Sequence, residues 1–233
     1  MEVTVTIKAV VFDLDGTLAS FNIESKAVRA DVRSFLIRKG LPASLLPANE
    51  SIFEMLKETE IFMKNNGKPE QTMTEIREKA LAIAEKYELE AAKTTNLLSG
   101  VLETLKTLRK MDLKMGLCTV NGEKSTDYIL KRFGIGEFFD AVTPRNKVKY
   151  VKPNAEHLEA TLKTLAISPS ETVVVGDSRI DMRCARELGA IAVGLPTGVS
   201  SAKDLINSGA NYLATSIRDL PSLVEYVNKM SEA

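Results

Sequence analysis

Short apolar runs punctuate the chain, and polar turn residues follow each of them. Residues 7–12 are mostly apolar and β-branched and end at Asp13-Leu14-Asp15-Gly16, the pattern of a buried parallel strand arriving at a turn. Runs of the same kind recur at 114–119, 139–143, 172–176 and 190–195. Between them, apolar residues return at helical spacing through Leu102, Leu105 and Leu108, and again over 128–133, 158–165 and 182–188. Alternation of strand and helix predicts an α/β fold, a doubly wound Rossmann-like parallel sheet. The segment 207–210 and a final helix over 220–227 read as packing elements at the end of that sheet.

The alternation fails between residues 20 and 97, where periodicity is helical throughout. Val28, Val32, Phe35 and Leu36 share one face, and Gly40 followed by Pro42 stops that helix. Ile52, Met55, Leu56, Thr59, Phe62 and Met63 form a second face, broken by Asn65-Asn66-Gly67. Thr72 with Glu75 reads as a capping box opening a third helix, which buries Ile76, Ala80, Ile83, Ala84 and Tyr87. The predicted organisation is a core of residues 1–19 and 98–233 with an inserted all-helical domain over 20–97.

Composition narrows the function classes. With 44% apolar residues among 233 the chain can bury a sizeable core. Thirty-one basic side chains balance thirty-one acidic ones, so no net charge draws it to nucleic acid or to an anionic membrane, and small molecules are the expected partners. Cys118 and Cys184 are too few for a disulfide framework and read as reduced structural thiols. The absence of a long apolar stretch or of a signal-like segment points to a cytoplasmic protein.

The chemistry gathers at the predicted strand ends. Asp13 and Asp15 follow the first strand, and Gly16 allows a tight turn. Two carboxylates in one crevice repel each other unless a cation intervenes, and hard oxygen ligands suit magnesium. A plain Asp-Gly turn is the bland alternative. A calcium loop is excluded, because Leu18 stands where that loop needs glycine and a strand precedes it. The second cluster, Gly176-Asp177-Ser178-Arg179-Ile180-Asp181, follows another buried strand. If both strands are central, Asp177 and Asp181 meet Asp13 and Asp15 across the switch-point crevice, and four converging carboxylates demand a metal. Read singly, Asp177 would cap a helix and Asp181 lie on the surface.

A phosphoryl group needs donors and positive charge as well. Thr119 and Asn121 end the second strand with a hydroxyl and exposed backbone N–H groups. Lys147, Lys149 and Lys152 precede the next helix. Alone they read as a solvated basic loop, but Lys152 is fixed by Pro153, which can start the helix running to Leu165.

The series Asp13-Leu14-Asp15-Gly16-Thr17, Thr119, Lys152-Pro153 and Gly176-Asp177 with Asp181 resembles the four motifs of the haloacid dehalogenase-like hydrolases. The helical insertion is similar to the cap of their phosphoglycolate-phosphatase-like branch. The resemblance implies a magnesium-dependent phosphatase of a small phosphorylated metabolite, with phosphoglycolate as the leading substrate. It implies that Asp13 is the nucleophile and that Asp15 is the acid for the leaving group, then the base for water. Magnesium would be held by Asp13, Asp177 and the backbone carbonyl of Asp15, with Asp181 supporting. Gly16, Thr17, Thr119, Val120, Asn121 and Lys152 would surround the substrate phosphate. Val120 departs from the family pattern, in which a small residue or Asn directly follows the Thr. The cap would act as a lid, with residues 21–26 nearest its hinge.

Rivals are weighed by particular features, with sugar phosphomutases the closest catalytic alternative and a non-catalytic receiver module the other. Dehalogenases lack the acid at the position of Asp15. Sugar phosphomutases keep it but show an early histidine, whereas the one histidine here, His157, lies far downstream and reads as a partly exposed helix residue. A phosphorylated receiver module would carry no inserted helical segment.

Overall fold

The computed structural model describes residues 6–20 and 22–231, so Phe21 of the hinge segment lies outside the described residues. Six strands form one parallel sheet: β1 (Ala9–Phe12), β2 (Lys114–Thr119), β3 (Ala141–Pro144), β4 (Thr172–Gly176), β5 (Ile191–Gly194) and β6 (Tyr212–Leu213). Their order is β3-β2-β1-β4-β5-β6. The sheet is therefore doubly wound, and its direction of winding switches between β1 and β4, where open α/β sheets hold their ligands. β1 is buried throughout and pairs Phe12 with Leu117 on one side and with Val175 on the other. The chain ends that follow β1, β2 and β4 thus emerge side by side.

Nine helices accompany the strands among the described residues: α1 (Ser25–Arg38), α2 (Ile52–Asn65), α3 (Glu70–Thr94), α4 (Val101–Lys110), α5 (Glu123–Phe133), α6 (Ala155–Leu165), α7 (Arg179–Leu188), α8 (Ala202–Asn207) and α9 (Leu220–Ser231). The chain divides into two compact units, residues 1–22 with 95–233 and residues 23–94. The sequence boundaries at 19/20 and 97/98 fall slightly inside this division. Hydrogen bonds explain the offset: Ser20 N–H donates to Asn96 O, Leu98 N–H to Leu18 O, and Thr95 Oγ1 to Ser20 O, so both connecting segments stay with the sheet.

In the sheet unit, Val11, Cys118, Leu158, Leu162, Val174 and Met182 belong to one apolar cluster that binds α6 and α7 to a single face. In the helical unit, Val28, Val32 and Leu36 of α1 pack with Met55, Met63, Ile76 and Ala80. Burying each large aliphatic side chain contributes roughly 1.5–3 kcal/mol, which is what holds α1, α2 and α3 together.

Three local expectations change. α3 begins at Glu70, because Pro69 O already accepts the Thr72 N–H, and Thr72 lies inside the helix instead of capping it. α6 is capped by Asn154, whose side chain accepts the Glu156 N–H at 2.9 Å, so Pro153 precedes the cap and does not start the helix. His157 is fully buried, not partly exposed, because α6 turns that face onto β3. Cys118 and Cys184 are both free and buried.

Candidate active site

Each acidic motif follows a strand whose neighbours fix it. Asp13 N–H donates to Val175 O at 2.9 Å, continuing the ladder of β1 and β4 by one residue. The turn then folds back, with the Leu18 and Ala19 N–H groups both donating to Leu14 O. Gly16 adopts φ +80°, and a Cβ there would stand 2.6 Å from Asp177 Cγ and 2.9 Å from Gly198 Cα. Two loops and a carboxylate meet at a point that has no room for a side chain.

Asp13, Asp177 and Asp181 are all buried, and one oxygen from each lies within 4.8 Å of the others. Asp181 is the third residue of α7, where its carboxylate turns back to accept the N–H and the hydroxyl of Ser178. Its other oxygen faces Lys152 at 2.6 Å. Asp177 is steadied by the Val199 N–H, which donates to it at 2.7 Å from the loop after β5.

Lys152 is the cation that bridges this group, and it is fully engaged. Its Nζ donates to Asp13 Oδ1 at 2.7 Å, to Asp181 Oδ1 at 2.6 Å and to Cys118 O at 2.8 Å, which uses all three ammonium protons. Burial opposes that charge, yet Asp13 and Asp181 hold the ammonium well above the ordinary lysine range. The carboxylates feel the opposite strain. Burial raises Asp13 to about 6 although Lys152 pulls it down, and burial followed by the charges of Asp13 and Asp181 raises Asp177 to about 8. One ammonium among three carboxylates leaves the crevice short of positive charge. The oxygen donors therefore fit a hard divalent cation.

Asp15 does not join this trio. Its carboxylate accepts a hydrogen bond from Asn121 Nδ2 at 2.6 Å, across from the end of β2. Asn121 N–H in turn donates to Thr119 Oγ1 at 3.2 Å. Thr119 and Asn121 are buried and Val120 is partly exposed. Thr17 Oγ1, next to Gly16, is buried with no hydrogen-bond partner. Of the three lysines in the loop before α6, Lys147 and Lys149 stay on the surface.

Several residues at the site were not given a role there from the sequence. Ser178 and the loop 197–199 support Asp181 and Asp177, and Thr197 Oγ1 donates to Gly16 O at 2.5 Å. Arg145 is buried at the end of β3, where its N–H donates to Asn121 O at 3.0 Å and Nη1 to Val120 O at 3.2 Å. His157 Nδ1 accepts the Lys152 N–H at 3.3 Å, which leaves the proton on Nε2 to donate to Thr143 O at 3.0 Å. Gly198 after a strand adjacent to β4 was a readable signal, whereas Arg145 and His157 offered none without the sheet order.

Fold and site together define an open α/β protein with an acidic crevice at its switch point. Residues 10–195 match the family of haloacid dehalogenase-like hydrolases, and the chain belongs to that family. Its class is that of the phosphoric monoester hydrolases. A phosphoglycolate phosphatase of Photorhabdus laumondii subsp. laumondii is 31% identical over 234 residues, covering 94% of this chain and 92% of its own. The pyrophosphatase PpaX of Bacillus velezensis is 32% identical over 120 residues, 52% of this chain and 56% of its own. A hydrolase from Pseudomonas syringae has a similar fold, with a TM-score of 0.65, 22% identity, and coverage of 94% of this chain and 98% of its own. Among the described residues no helix is long and apolar enough to cross a membrane.

Proposed function

We propose that this chain is a magnesium-dependent phosphatase that hydrolyses a small phosphomonoester by way of a phosphoryl group carried on Asp13. The observation that carries the reading is the bridge made by Lys152, whose Nζ lies 2.7 Å from Asp13 and 2.6 Å from Asp181 within a trio of buried carboxylates. Such an arrangement keeps Asp13 ionised and aimed, which is what a nucleophile requires. Asp13, Asp177, Asp181 and the carbonyl of Asp15 would hold magnesium, which when bound supplies the positive charge that the phosphoryl oxygens and the carboxylates lack.

Asp13 attacks phosphorus and the alcohol leaves, with Asp15 giving it a proton. Asp15, once deprotonated, takes a proton from the water that attacks the phosphoryl-Asp13 and releases phosphate. Asn121 holds the Asp15 side chain at 2.6 Å through both steps. Thr119 and the unpartnered Thr17 hydroxyl offer donors to phosphate oxygens, and Lys152 offsets their charge. Phosphoglycolate is the leading substrate, on the strength of the phosphoglycolate phosphatase relative that spans nearly the whole chain. Pyrophosphate is the second reading, from the PpaX likeness over half of it.

Turnover of p-nitrophenyl phosphate with magnesium, set against Asp13→Asn, tests the mechanism. Absence of wild-type turnover, or full activity of Asp13→Asn, overturns it. A screen of phosphorylated metabolites with pyrophosphate included tests the substrate. A preference for pyrophosphate would replace the phosphoglycolate assignment and leave the mechanism standing.

A further inference from the structure

Helix α1 in the helical unit violates three electrostatic rules along one side. Its first turn carries Lys26 and no acidic residue, and the N-cap Glu24 makes no side-chain cap hydrogen bond, so a cation sits at the positive end of the helix dipole with Glu24 beside it. Arg29 and Arg33 follow one turn apart, close enough to repel each other. Arg29 Nε is buried without a hydrogen-bond partner, which leaves its desolvation uncompensated. Each of these costs stability, and an anion beside α1 would offset the repulsion among its basic side chains.

The space for that anion exists. Lys26, Arg29, Arg33 and Arg38 line a cavity of about 490 Å³ together with Ala48 and Asn49, and no carboxylate is among its lining residues. Small-molecule sites commonly span roughly 300–1,000 Å³. The far wall is built and does not merely drift there: Arg33 Nε donates to Leu46 O at 2.6 Å and its Nη2 to Ala43 O at 3.3 Å, which pins the segment before α2 against α1. Asp31, an acidic neighbour on the same helix, is turned away to accept a hydrogen bond from Tyr87 of α3 at 2.6 Å. In a chain of zero formal net charge, four basic side chains line this one cavity.

We propose that this cavity binds a small polyanion, a metabolite carrying two or more phosphate or carboxylate groups. Arg29 and Lys26 bring a guanidinium and an ammonium charge to the lining, and Arg33 serves the wall while keeping its charge beside the ligand. The site contains no acid, nucleophile or metal ligand, so it binds its occupant and performs no chemistry on it. A basic helix face that is merely solvated would share the charge but would not saturate with one ligand.

The test titrates inorganic pyrophosphate into full-length protein stripped of metal over a chelating resin, so that no turnover occurs, and follows the heat. One pyrophosphate per chain is expected. Its affinity should weaken about tenfold or more in Lys26→Gln/Arg29→Gln and in Arg38→Gln/Arg29→Gln, and stay unchanged in Thr119→Val at the carboxylate site. Pyrophosphate should also raise the melting temperature of the wild type and leave that of the double variants unmoved, while circular dichroism reports whether α1 persists. Absence of saturable binding overturns the proposal. So does wild-type affinity in both double variants, or a loss of binding in Thr119→Val.

Discussion

Lys152 Nζ and Asp181 Oδ1 stand 2.6 Å apart with both side chains almost wholly buried, and the same ammonium reaches Asp13 at 2.7 Å. One charge from the loop before α6 thus ties the end of β1 to the first turn of α7. The pairing is a condition for the site and not an addition to its stability, since without it the grouped carboxylates would lose the ammonium that bridges Asp13 and Asp181.

Lys152→Met should therefore fail in two separable ways. Magnesium-dependent turnover should fall by about 10²–10³-fold or more, the scale for loss of one positioned charge. Metal-free protein should lose about 3–5 kcal/mol of stability, the scale for breaking a buried ion pair from one side. Magnesium should restore more stability to the variant than it adds to the wild type, because the unbalanced carboxylates bind it more avidly. Equal magnesium-induced shifts in melting temperature for the two proteins would refute this account of Lys152.

Asn121 holds Asp15 through a 2.6 Å hydrogen bond between the ends of β2 and β1. Asp15→Asn should lower turnover by about 10²–10⁴-fold, the range for general acid–base help. Asn121→Ala should cost less, about tenfold, since the acid remains but is no longer held. Asn121→Asp should be worse than Asn121→Ala, because it sets a second negative charge against Asp15. Steady-state kinetics on a chromogenic ester gives the ranking, and Asn121→Asp matching the alanine variant would remove Asn121 from this role.

What could be read from the sequence, and what could not, follows from the range of each interaction. Asp13 and Asp177 were legible because a buried run followed by an acidic turn is a local pattern, and the strand order then brings β1 and β4 together. The two residues of β6 are too few to show a period. Lys152 was set apart from Lys147 and Lys149 by the Pro153 that follows it and by the motif it completes, whereas its burial against Asp13 and Asp181 rests on contacts remote in sequence. Asn121 was expected beside the phosphate, and its partner Asp15 lies 106 residues away. His157 was misjudged for the same reason: its burial depends on β3, which no helix periodicity reports.

The raised Asp177 predicts a pH-dependent affinity for the proposed metal. Burial, with Asp13 and Asp181, raises it from 3.8 to about 8, so metal-free folded protein holds a proton there that the unfolded chain gives up. The folded state binds more protons through that window, and metal-free stability falls as pH rises toward 8. Magnesium must displace the same proton. Its apparent affinity should strengthen by up to about tenfold per pH unit below 8 and level off above. Melting temperatures with and without magnesium should diverge from pH 6 to pH 8, and a constant gap across that range would contradict the assignment.

His157 acts in the opposite direction. Burial, reinforced by the Lys152 charge, depresses it from 6.5 to about 3, and its ring is committed as a neutral donor to Thr143 O and acceptor from the Lys152 N–H. A second ring proton would have to sit on Nδ1, facing that N–H. Between pH 6.5 and about 3 the unfolded chain therefore binds the proton that the folded one refuses. Stability from this group is complete above 6.5 and is lost as pH falls through the window, on the order of a few kcal/mol in total. His157→Leu removes the titration together with both hydrogen bonds, so the variant should be less stable at pH 7. The gap between wild type and variant should then narrow as pH falls toward 4, the carboxylates common to both cancelling in the difference. Urea unfolding at a series of pH values measures that gap. A gap constant from pH 7 to pH 4 would mean that His157 is not held neutral, and that the Lys152 backbone is anchored by something other than its Nδ1.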